Sequence, residues 1–109
     1  MRLRVSLIAA AISILSATSA YPAPESARQT ALLHLLRQDC GSCHGMTMKG
    51  GLGPALLPNS LAGKPDLMLI ETILHGRPGT AMPPWNTMLS REEAGWLVTR
   101  LREGVDNAQ

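Results

Sequence analysis

The sequence predicts an all-α domain of three or more helices joined by two long, structured loops. Three stretches repeat their apolar residues at helical spacing, and none alternates in the two-residue rhythm of a strand. Segments rich in Gly and Pro, 45–63 and 76–86, separate these stretches, and loops of that length in a small domain are usually functional. The 109 residues include no Phe, and the aromatics are Tyr21, Trp85 and Trp96. So small a core calls for a staple: disulfides, a metal or a cofactor.

The N-terminus reads as an export signal rather than as part of that domain. Met1-Arg2-Leu3-Arg4 is a basic start, Val5 to Leu15 is almost wholly apolar, and small residues follow up to Ala20. This is the layout of a secretory signal peptide, residues 1–20, with cleavage expected after Ala20 and Ala17 or Ser19 as neighbouring choices. An uncleaved anchor is the alternative, but the apolar run is shorter than the roughly 20 residues a membrane span needs. Loss of Arg2 and Arg4 would leave eight basic against eight acidic side chains in the domain 21–109, a formal charge of zero. Nucleic-acid binding thereby loses its electrostatic basis.

The first helix is expected over Ser26–Gln38, with Leu32, Leu35 and Leu36 on one face, Ala31 at its margin and His34 nearly opposite. The second is expected over Pro65–His75. Pro65 suits a first helical position, Leu67, Ile70 and Leu74 form the stripe, and Gly76 is the stop. The third spans Arg91–Glu103, opened by a Ser90/Glu93 capping box, lined by Ala94, Leu97, Val98 and Leu101, and ended by Gly104. Gly95 inside it costs about 1 kcal/mol relative to Ala, which a close helix crossing would explain.

Both cysteines lie in Cys40-Gly41-Ser42-Cys43-His44. A structural zinc site needs four ligands, with only His34 and His75 left to complete one. A thioredoxin-like motif needs a βαβ unit, and a disulfide across two residues would staple almost nothing. The C-x-x-C-H pattern is that of covalent haem attachment. Two intervening residues make one turn, so each thiol can add to one porphyrin vinyl group. His44 then follows directly beneath the ring, and Gly41 and Ser42 leave room for it. An export signal agrees with a linkage completed outside the bacterial cytoplasm.

From about residue 25 to 104 the chain resembles a class I monohaem cytochrome c. The resemblance rests on "CGSCH" after a first helix, "GLGP" behind it, "GTAMPPW" before the last helix, and Trp96 in that helix. The family often has Gly eight residues before the first Cys and an aromatic four before it; here those positions hold Leu32 and Leu36. The usual helix crossing would then be rebuilt, with Gly95 as a candidate for the small residue. The resemblance implies one haem c bound through Cys40 and Cys43, with His44 as one axial ligand. For the other, Met46 and Met48 are too near His44 to reach the opposite face, Met68 lies on a helix flank, and His34 and His75 read as surface residues. Met82 is the expected ligand, because its loop is far enough along the chain and stiffened by Pro83 and Pro84; Met88 is the second candidate. The carbonyl of Pro54 is expected to accept from His44 Nδ1–H and fix the ring. Trp85 is expected to pack at the haem edge or bond a propionate, with plain loop packing as the alternative.

His/Met ligation fills both axial positions, which implies an electron carrier rather than an enzyme. The wording of the two loops is most similar to the small periplasmic cytochromes c that accompany dissimilatory nitrite reductase in denitrifying bacteria. This implies a periplasmic monomer without a membrane segment after signal cleavage, whose partners are redox proteins, nitrite reductase among them. Two alternatives stay open: a factor in maturing the special haem of that reductase, and a haem enzyme or gas sensor with an open distal site.

Overall fold

The computed structural model describes residues 22–105. The segment 1–20 assigned to a signal peptide lies outside the described residues, as do Tyr21 and 106–109. The described chain is helical and contains no strand: α1 (Ser26–Leu35), a π-helical turn (Leu36–Cys40), α2 (Gly41–His44), α3 (Pro58–Leu61), α4 (Asp66–His75) and α5 (Arg91–Glu103).

The first helix does not stop at Gln38. Leu36, Cys40 and Gly41 all keep right-handed helical dihedrals, so one winding path runs from Ser26 to His44. The π-turn is closed by Gly41 N–H donating to Leu36 O, five residues back. Such a turn inserts one residue into the helical phase and is common at functional sites. Leu32, Leu35 and Leu36 are buried as the periodicity requires, whereas Ala31 is exposed and His34 lies on the outer side.

α5 is the spine of the core. Ala94, Leu97, Val98 and Leu101 are all buried, and the helix packs on α4 most extensively, with smaller contacts to α1 and α3. Its start is fixed by the capping box: Glu93 N–H donates to Ser90 Oγ at 3.1 Å and Ser90 N–H to Glu93 Oε2 at 3.0 Å. α4 runs antiparallel to it. Asp66 at the start of α4 accepts from Arg102 Nε at 2.7 Å at the far end of α5, and Glu71 pairs with Arg91 at its near end. Pro65 stands just before α4, at its N-cap, rather than inside the first turn. Leu74 is buried and Ile70 half-buried, but Leu67 is 65% exposed and does not face the core, a departure from the expected stripe. Leu69 and Ile73 take its place beside Ile70.

Gly95 faces α4, not α1. A Cβ built on it would lie 3.5 Å from Ile70 Cδ1, an ordinary contact, so the crossing tolerates a methyl group and does not explain the glycine. Where the family's glycine and aromatic would meet, the completely buried Leu32 and Leu36 share the core cluster with Ala94.

Arg28 of α1 grips the start of α5. Its guanidinium donates to both Glu93 oxygens, Nε at 2.6 Å and Nη2 at 3.1 Å, while Nη2 also donates to Met88 O at 3.2 Å. These bonds hold the Glu93 carboxyl below the usual carboxylate range; partial burial works against them, and the Ser90 N–H adds to them. A carboxyl depressed in the folded state contributes stability that is present above its unfolded pKa, near 4.3, and is lost as pH falls through the folded value. Acid unfolding of the wild type should therefore steepen below about pH 4, and Glu93→Gln should flatten that limb, measured as thermal midpoint against pH. Glu71, held down by its hydrogen bond from Arg91, acts with the same sign but is more exposed.

Candidate functional site

The two cysteines and the histidine occupy the last turn of the long winding helix. Cys40 closes the π-turn, and Cys43 and His44 fall in α2. Both thiols are free and half-buried. Burial first, then the neighbouring Asp39 charge, pushes the Cys40 thiol up to about 11, so it is protonated at neutral pH. Among the described residues no cluster of three or more His, Cys, Asp or Glu side chains is placed to hold a metal ion. His34 is exposed on α1, and His75 Nε2 is engaged by Glu71 Oε2 at 3.1 Å.

The winding helix ends at His44, where its last carbonyls need partners from elsewhere. The following loop caps it: Gly53 N–H donates to Cys43 O at 2.8 Å and Gly50 N–H to His44 O at 2.7 Å. These bonds satisfy terminal carbonyls that would otherwise lack partners. The same loop turns the imidazole. His44 Nδ1 lies 2.7 Å from Pro54 O. A carbonyl can only accept, so Nδ1 carries a proton, and in the neutral ring Nε2 then keeps its lone pair, free to bind a metal. Gly53 allows the close approach, since a Cβ there would fall 2.9 Å from both Cε1 and Nδ1 of His44. Met48, excluded as a ligand by reach, is 2% exposed and serves the core, and Met46 lies against Gly41.

Met82 belongs to a second loop, folded back on the end of α4. Trp85 N–H donates to Ile73 O at 3.1 Å and to Leu74 O at 3.2 Å, and Asn86 N–H to Leu74 O at 3.1 Å. Arg77 N–H donates to Met82 O at 3.2 Å. Met82 is half-buried, Met88 is 58% exposed, and Met68 is 45% exposed on α4. Trp85 packs partly buried against the core. Sequence reasoning missed α3 and the turn Arg77-Pro78-Gly79-Thr80. The Pro-Gly pair was a readable turn signal, whereas a single helical turn has too few residues to show periodicity.

Covalent haem attachment is the chemistry that uses two thiols and a pre-turned imidazole on one helical turn, and it places this all-α protein among the c-type cytochromes. The family described as cytochrome C oxidase, cbb3-type, subunit III matches residues 27–99. A cytochrome c55X of Pseudomonas aeruginosa is 60% identical over 81 residues, 74% of this chain and 68% of that protein. A cytochrome c55X of Paracoccus denitrificans is 45% identical over 94 residues, 86% of this chain and 91% of that protein. The solved structure of a c-type cytochrome NirC superimposes with a TM-score of 0.72 at 60% identity, covering 73% of this chain and 94% of that one. A dihydro-heme d1 dehydrogenase NirN in complex with DHE gives 0.60 at 42% identity, over 65% of this chain but 15% of that protein. The chain belongs to the cytochrome c55X family of small c-type cytochromes.

Haem c, covalently held, is the cofactor of such proteins, and the residues present fit it. The two thiols are free, and Pro54 O lies 2.7 Å from His44 Nδ1, so that bond engages one ring nitrogen and not the other, Nε2. No helix among the described residues is long and apolar enough to cross a membrane.

Proposed function

We propose that this chain, exported by its first twenty residues and functioning as the domain 21–109, is a periplasmic one-electron carrier that delivers electrons to a dissimilatory nitrite reductase. The carrying observation is the His44 Nδ1–Pro54 O bond, which leaves Nε2 free one residue after the second thiol. In this reading Cys40 and Cys43 would hold haem c through two thioethers, His44 and Met82 would ligate its iron, and Trp85 would pack beside it. When bound, haem c supplies a reversible one-electron couple, and a Met ligand raises its potential. With His44 and Met82 both on the iron, no position would be left for a substrate, which favours a carrier over an enzyme. Likeness to dihydro-heme d1 dehydrogenase favours one second reading, a part in maturing the special haem of the reductase.

Charge supplies a basis for docking. Arg28, Arg91, Arg100 and Arg102 are each paired with a carboxylate. Lys49, Lys64 and Arg77, all exposed in the loops, are in none of the ion pairs among the described residues. Lys49 sits in the loop that caps His44, and Arg77 holds Met82 O through its backbone.

The purified protein should keep its haem stain through denaturing electrophoresis; loss of the stain after expression in a cytochrome-c-maturing host rules out covalent attachment. Stopped-flow reduction of nitrite reductase should slow with added salt, since screening acts over roughly 10 Å at 0.1 M. Neutralising Lys49, Lys64 and Arg77 together should flatten that dependence with the spectrum unchanged. Equal, salt-independent rates for the two proteins count against electrostatic docking. Electron transfer to dihydro-haem d1 dehydrogenase and none to the reductase transfers support to the maturation reading.

A further inference from the structure

We propose that Thr80 is a positioning residue for Met82, its hydroxyl holding the loop that presents the thioether; this rests on the reading of Met82 as an axial ligand. Thr80 Oγ1 donates to Arg77 O at 2.6 Å and accepts from Met82 N–H at 3.3 Å. Its own backbone N–H donates to the same Arg77 O at 3.0 Å. Residues 77–80 thus form a tight turn with Pro78 second and Gly79 third at φ 78°, the positions such a turn assigns to Pro and Gly. Across its mouth, Arg77 N–H donates to Met82 O at 3.2 Å. Both backbone polar groups of Met82 are therefore tied to the 77–80 turn, one through the Thr80 side chain and the other through the Arg77 amide.

Thr80 is exposed and belongs to no part of the core, so packing does not account for a threonine there. Its hydroxyl is the one side-chain group among the described residues that bonds Met82. Without it, the Met82 N–H keeps no partner in the loop, and the segment between Arg77 and Pro83 gains freedom. A thioether is a weak, neutral ligand, and an external base competes with it. A looser loop raises the fraction of molecules in which Met82 has swung away, and a competing base binds that fraction.

The test uses the purified holoprotein, with imidazole as the competing base. Thr80→Val should bind imidazole in the ferric state about three- to tenfold more tightly than wild type, the range expected for one exposed hydrogen bond. Its sulfur-to-ferric-iron charge-transfer band should fade at a lower temperature, while the far-UV unfolding midpoint stays within about 3 °C, as for an exposed side chain outside the core. Thr80→Ala should match Thr80→Val, and Thr80→Ser, which keeps the hydroxyl, should restore wild-type imidazole affinity. Wild-type affinity in both Thr80→Val and Thr80→Ala overturns the proposal, as does a Thr80→Ser variant that behaves like them. Met82→Ala, run alongside, separates the two ideas. If it keeps the band, the ligand reading itself fails and this proposal falls with it. If it loses the band while Thr80→Val is unchanged, only the role of Thr80 is refuted.

Discussion

Met82→Ala is expected to remove the sulfur-to-ferric-iron charge-transfer band, lower the reduction potential and admit small ligands to the iron, while the haem stays covalently attached. The expectation follows from where the structure leaves the methionines. Met48 is 2% exposed in the core and Met46 lies against Gly41, on the helix that carries His44. Met88 is 58% exposed, its carbonyl taken by Arg28 on α1. Met82 stands in a loop closed on itself and anchored to the end of α4. Potentiometry and ferric-state spectra of Met82→Ala, Met88→Ala and wild type settle the assignment. If the band disappears in Met88→Ala and survives in Met82→Ala, the ligand is Met88.

Gly76→Ala should be the most damaging single methyl in the molecule. Gly76 sits at φ 69°, ψ −166°, a combination essentially confined to glycine. A Cβ there would lie 2.7 Å from Met82 O, 2.7 Å from Pro83 C and 2.9 Å from Pro84 N. All three are backbone atoms of the segment that returns to α4, so no side chain can turn aside. Dihedral strain of roughly 1–3 kcal/mol adds to the clash, for a total loss of about 3 kcal/mol or more. In a domain of this size that lowers the thermal midpoint by on the order of 10–20 °C. The charge-transfer band should weaken as well, because the displaced atoms belong to Met82 and its neighbours. Gly63→Ala is the control: φ there is 76° but nothing lies within 4 Å of the added carbon, so strain acts alone and about 1 kcal/mol is expected. Equal losses for the two variants would show that the loop contact around Gly76 carries no weight.

The C-terminal helix was fully legible, from the Ser90/Glu93 box to Gly104. Its signals are local: a cap three residues wide and an apolar repeat long enough to count. The thiols and His44 were legible for the same reason, since their spacing is one turn of any helix. Leu67 was misread because periodicity reports which residues share a face, not where along the helix its partner crosses. The antiparallel α5 covers the face of Ile70 and Leu74 and leaves Leu67 outside. The first helix was cut short at Gln38 because Asp39, Gly41 and Ser42 are poor helix formers with no apolar stripe.

By itself, then, the sequence determined the helical class, the three main helices within a few residues, the C-x-x-C-H pattern and the two loops that flank it. Only the tertiary structure decided that the helix continues through the cysteines, since Cys43 O and His44 O are capped by Gly53 and Gly50 from a loop several residues away. Only it brought Pro54 O, expected from the resemblance, to 2.7 Å from His44 Nδ1, and closed the 77–82 loop on the end of α4. The physical reason is common to all three. Propensity and periodicity act over one or two turns, whereas backbone groups left unpaired at a helix end or in a loop find partners wherever the folded chain brings a donor or an acceptor within hydrogen-bond distance.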